Sequence, residues 1–141
     1  MIYTSDTKKA MQMAFNAHLG QVDKAGIPYI YHPIHLAEQM ETEEECIVAL
    51  LHDTVEDTSI TFEQLEKEFS SNIIEALKLL THEESTTYID YVMKIKDNKI
   101  AKKVKLADLY HNSDKSRLNI ITEKDMRRNE KYREAIKILS E

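Results

Sequence analysis

An all-α, single-domain bundle of about six to eight helices over residues 1–141 is the fold the sequence predicts, on three observations. Only two Gly and two Pro interrupt the chain, there is no Trp, and 42% apolar residues stand beside 31% charged ones, the balance of a helical rather than a turn-rich β protein. Apolar residues recur three and four apart along most of the chain, whereas period-2 alternation with turn signals is confined to residues 27–31. No Pro/Gly/Ser linker, low-complexity tract or fixed-period repeat divides the sequence, and this length can bury one core without disulfides.

The elements follow in order. Thr4, Ser5 or Asp6 can cap a first helix through KKAMQMAFNAHLGQ, with Ala10, Met13, Ala14, Ala17 and His18 on one stripe and a stop near Gly20. Residues 22–33 carry one glycine and both prolines and read as an irregular loop. Pro33 suits the first position of a second helix reaching Met40. A third is expected over residues 43–57. Thr61 and Gln64 form a capping box opening a fourth, with Ile60 and Leu65 as its staple. Residues 71–82, 87–97, 100–112 and 122–139 read as further helices, the last capped by Thr122 with acids in its first turn.

The formal net charge of −6 argues against a duplex nucleic acid partner, which needs many Lys and Arg contacts to phosphates. A small anionic ligand with a local basic patch remains compatible. The longest apolar run, residues 46–51, is too short to span a bilayer, and the N-terminus lacks a secretory signal pattern, so a cytoplasmic protein is expected. Cys46, the single cysteine, can form no intrachain disulfide and reads as a small buried apolar residue.

Chemistry concentrates in LLHDTVEDT, residues 50–58. On one continuous helix, His52, Asp53, Glu56 and Asp57 share a face, with Ile47, Val48, Leu51 and Val55 behind it. His52 and Asp53 can offer one imidazole nitrogen and one carboxylate oxygen to a single divalent ion. His32, beside Pro33, and Asp108, among apolar neighbours where a carboxylate is costly unless paired or metal-bound, are further candidate ligands. A solvated acidic face is the plain alternative.

The succession AHLGQ, PYIYHP, ALLHDTVEDTSIT and VKLADLYHN, in this order over about residues 8 to 136, resembles the HD-domain hydrolases of the RelA/SpoT type. It is most similar to their short hydrolase-only members, the small alarmone hydrolases or metazoan SpoT homologues. The resemblance implies an HD-type bundle with His32, His52, Asp53 and Asp108 as metal ligands and Mn²⁺ as the usual ion. It implies that Glu56 and Asp57 handle the attacking water, and that the 3′-pyrophosphate of guanosine tetra- or pentaphosphate is released, leaving GDP or GTP. Lys24 in the loop, Asn112 one turn after Asp108, and Arg128 with Tyr132, whose spacing resembles the family's nucleotide-contacting Arg and Tyr, are candidate substrate contacts. Oligomeric state is not readable from the sequence.

His18 and His35 are expected to cap or pack, His111 to lie behind a ligand, and the lysines at 99, 102, 103 and 105 to form a solvated face. The loop departs from its relatives: where many carry Arg-Lys-Ser before the glycine, this chain has Asp23, Lys24 and Ala25. A carboxylate offers no cationic plane for a base to stack on. That substitution keeps two alternatives open, a phosphohydrolase for another nucleotide (an adenosine alarmone, or the 2′-phosphate of NADPH) and a non-catalytic nucleotide-binding module.

Overall fold

The computed structural model describes residues 1–141. It is helical, with α1 (Ser5–Ala17), α2 (Tyr31–Glu38), α3 (Glu43–Leu51), the single turn α4 (Thr54–Asp57), α5 (Phe62–Glu66), α6 (Ser71–Leu80), α7 (Tyr88–Ile95), α8 (Lys99–Asn112), a 3-10 turn (Lys115–Arg117) and α9 (Glu123–Ser140). No strand forms, and the alternating 27–31 stretch contributes only an isolated antiparallel bridge between Val22 and Pro28.

Local capping sets where helices begin. The Thr61 hydroxyl accepts from the Gln64 amide at 3.2 Å while Gln64 Oε1 accepts from the Thr61 amide at 2.9 Å. Similar boxes close α1 at Thr4 and Thr7, α3 at Thr42 and Glu45, and α9 at Thr122 and Asp125. Gly20 and Gly26, at φ +88 and +83, occupy the left-handed region in which a Cβ is strained.

The core is built around α3. Cys46 through Leu51 are all buried, and the helix packs against α1, α2, α6 and α8, which is why its sequence is apolar on every side. Each fully buried leucine of that helix contributes about 1.5–3 kcal/mol through its removal from water. Holding α3 at the centre fixes the residues at its C-terminus with little freedom.

Two expectations are corrected here. The helix expected over 43–57 breaks at His52 and Asp53, because side chains take carbonyls a continuous helix would use: the Thr54 hydroxyl donates to the Leu51 carbonyl at 2.8 Å, and His52 Nδ1 bonds the Ala49 carbonyl at 2.7 Å. Pro33 is the third residue of α2, not the first, since α2 starts at Tyr31. It remains within the first turn, where the missing N–H has no intrahelical partner to lose.

Candidate metal centre

The break after α3 places His52 and Asp53 at the inner end of the central helix. His32 arrives from the first turn of α2 and Asp108 from α8, both helices packing directly on α3. Ligand atoms of His32, His52 and Asp53 all lie within 4.8 Å of one another. Asp108 Oδ1 sits 2.8 Å from His32 Nε2 and 3.5 Å from His52 Nε2. Four residues from three helices thus converge on one buried point.

The donor set fits a divalent cation. His52 Nδ1–H donates to the Ala49 carbonyl, which leaves Nε2 turned to the cluster as the atom that can meet an ion. That Nε2 is buried and, although 3.1 Å from Asp53 Oδ2, is aligned for a hydrogen bond with no group. A buried nitrogen without a partner, facing two carboxylates and a second imidazole, is the arrangement of an ion site.

The electrostatics favour positive charge at this point: burial acts to lower His52, but Asp53 and Asp108 outweigh it and raise the imidazole well above its ordinary range, so a metal ion would displace its Nε2 proton. Burial acts to raise the Asp108 carboxyl, but the Lys105 ammonium, the bond to His32 and the neighbouring His52 ring outweigh it and hold it well below the usual carboxylate range. Burial likewise opposes ionisation of Asp53, and the His52 imidazole overcomes it. Burial lowers His32 despite Asp108, favouring the neutral imidazole that a metal requires. Tyr29 donates its hydroxyl to Asp53 Oδ2 and packs its ring on His32, steadying both.

Around this cluster the other candidates separate. Asp57 ends α4, its carboxyl raised by burial and by the charges of Asp53 and Glu56. Glu56 turns toward the loop after α6, where its Oε1 accepts from the His82 amide at 2.8 Å. Asn112 donates to Asp108 Oδ1 at 3.0 Å, fixing that carboxylate. Lys24 and Arg128 meet on a third residue: Asp125 Oδ1 accepts from Lys24 Nζ at 2.8 Å and from Arg128 at 3.0 Å. Tyr132, one turn after Arg128, is half-buried against the core.

Several residues here escaped sequence reasoning. Lys105 is not part of a solvated face: its side chain is 13% exposed, its Nζ lies 3.0 Å from Asp108 Oδ2, and it sits over the Tyr91 ring. The i,i+3 spacing to Asp108 was the available signal. Asp125 carries a comparable one, three after the Thr122 cap and three before Arg128, but its bond to Lys24 spans 101 residues and has no local trace. His111 lies with Nδ1 2.7 Å from His32 Nδ1, and burial and the Arg117 charge push it down to about 4. His35 packs on His111.

On the Nδ1 side of His32 a cleft of ≈ 410 Å³ is lined by Asp23, Tyr29, His111 and Arg117 among others. Asp23 Oδ1 accepts from the amides of Ala25 at 2.9 Å and Ile27 at 3.0 Å, shaping the loop tip, while its Oδ2 faces Arg117 at 3.8 Å. No helix is long and apolar enough to cross a membrane.

A family model described as an HD domain matches residues 10–111. The putative GTP diphosphokinase RSH1, chloroplastic, of Arabidopsis thaliana is 48% identical over 71 residues, covering 47% of this chain and 8% of that protein. The guanosine-3′,5′-bis(diphosphate) 3′-pyrophosphohydrolase of Aquifex aeolicus is 35% identical over 83 residues, 56% of this chain and 12% of that protein. The match therefore spans about a tenth of the length of these relatives. A solved structure described as a metazoan ortholog of SpoT that hydrolyzes ppGpp superposes with a TM-score of 0.79 at 25% identity, covering 99% of this chain and 85% of that one.

Proposed function

The chain belongs to the HD-domain family, and on that premise we propose that it is a metal-dependent hydrolase releasing the 3′-pyrophosphate of guanosine tetra- or pentaphosphate. The observation that carries the reading is the convergence of His32, His52 and Asp53 beside Asp108 around an imidazole nitrogen that has no protein partner. The names of the Aquifex aeolicus relative and of the structural neighbour support the same substrate.

His32, His52, Asp53 and Asp108 would hold the ion, with Mn²⁺ our choice among divalent metals. When bound, it supplies a low-pKa water and polarises a phosphoryl oxygen. Asp57, with its raised carboxyl, would take a proton from the attacking water, and the Glu56 oxygen not engaged by His82 would orient that water. Asn112 and Lys105 keep the Asp108 carboxylate in place. Lys24, Arg128 and Tyr132 contact the nucleotide, the two cations meeting its phosphates. The domain acts on a small nucleotide in the cytoplasm, without nucleic acid or membrane as partner.

A second reading, hydrolysis of another nucleotide, is favoured by one observation. The Asp23 carboxylate is locked in the loop by two backbone amides, so the loop presents no cation to a base at that position. The test is a panel of guanosine and adenosine 3′-pyrophosphates and NADPH with Mn²⁺, Mg²⁺, Zn²⁺ or Fe²⁺. Pyrophosphate release from the guanosine compounds supports the proposal. Phosphate release from NADPH, or a preference for adenosine, supports the second reading, and no release from any substrate removes both.

A further inference from the structure

His18 is a buried imidazole at the C-terminal end of α1 that the mechanism above does not use. Its Nδ1 lies 2.7 Å from Gln21 Oε1, and Gln21 Nε2 donates to the Asp57 carbonyl at 3.0 Å. The second bond fixes which end of the Gln21 amide is oxygen. An amide oxygen only accepts, so His18 Nδ1 carries the proton and Nε2 keeps the lone pair.

That Nε2 is buried and has no partner in the protein. The ring packs on Tyr29, with centroids 4.9 Å apart, whose hydroxyl in turn serves Asp53. Gln21 ties the same unit to the backbone of Asp57. An acceptor of fixed tautomer, buried and unpaired on a ring that touches Tyr29 and is tied through Gln21 to the Asp57 backbone, calls for a donor from outside the protein.

Resting on the hydrolase reading above, we infer that His18 is a water-positioning residue whose Nε2 accepts a hydrogen bond from the water that Asp57 deprotonates. With two acceptors, Nε2 and the carboxylate, the water's two O–H bonds are both directed and its oxygen lone pair is left facing the phosphorus. The proton that leaves goes to Asp57, and His18 keeps its tautomer throughout. Gln21 acts through His18 by holding the ring.

Two measurements test this. In protein uniformly labelled with ¹⁵N and loaded with diamagnetic Mg²⁺, the ring nitrogens of His18 should show the Nδ1-protonated tautomer; a proton resident on Nε2 overturns the inference whatever the substrate. In the Mn²⁺ form, His18→Asn keeps a donor for Gln21 but loses the acceptor, and should lower kcat by about 100-fold with KM within about twofold. His18→Gln, whose oxygen reaches the lost position, should restore at least about a tenth of the wild-type kcat. A His18→Asn protein that melts and binds metal normally and keeps kcat within about twofold also overturns it, as does a His18→Gln no better than His18→Asn. Wild type that turns over no nucleotide removes the hydrolase reading, and with it the water-positioning role, even where the tautomer is as stated.

Discussion

Asp125 is a single carboxylate that links the loop to the last helix. One oxygen accepts from Lys24 and Arg128, the other from the amide and hydroxyl of Thr122, so no lone pair is idle. The Lys24 bond and the Thr122 bonds hold its pKa far below the ordinary value. A depressed folded pKa gives stability that is complete above the unfolded value, about 3.9, and is lost as pH falls toward the folded one. Asp125→Asn should therefore show a smaller drop in Tm between pH 7 and pH 3 than wild type, measured by thermal melts at both pH values. Much at this scale was legible: His32, His52, Asp53 and Asp108 were marked by residue type and apolar context. Asp125 and Tyr29 were not, because the partners that give them meaning lie 101 and 24 residues away.

Among elements, the turn between α3 and α4 decides the site. A continuous helix would carry His52 and Asp53 past the inner end of α3 and around its face; the break instead leaves both at that end, opposite His32 and Asp108. The sequence pattern could not show this, since helical periodicity runs unbroken through residues 43–57 and the Thr54 hydroxyl competes for a carbonyl that any helix also wants. Helix starts were more legible, because caps are local chemistry. The Thr61 box opens α5 as its spacing predicts, and Thr61→Ala should lower stability by about 1 kcal/mol in urea unfolding. Turnover should be unaffected, since no candidate site residue lies on α5.

Across the whole molecule, one core of 26 buried apolar residues surrounds α3 and extends to Leu139 near the C-terminus. The all-α class was legible from composition and spacing because both follow from what a core of packed helices needs. The meeting of α2, α3 and α8 was legible only through the family resemblance, because composition and spacing do not tell how helices far apart in sequence pack. That packing is what turns four scattered residues into one candidate centre, so the metal and the chemistry should be lost together. The most direct measurement is pyrophosphate release from guanosine 3′,5′-bis(diphosphate) by the Mn²⁺-loaded protein beside Asp53→Ala, with bound metal counted in the same samples. Wild type should retain its ion and release pyrophosphate, while Asp53→Ala, still folded, should lose the ion and release at least about 100-fold less. Equal release by the two proteins, or none from wild type carrying its metal, would contradict the assignment.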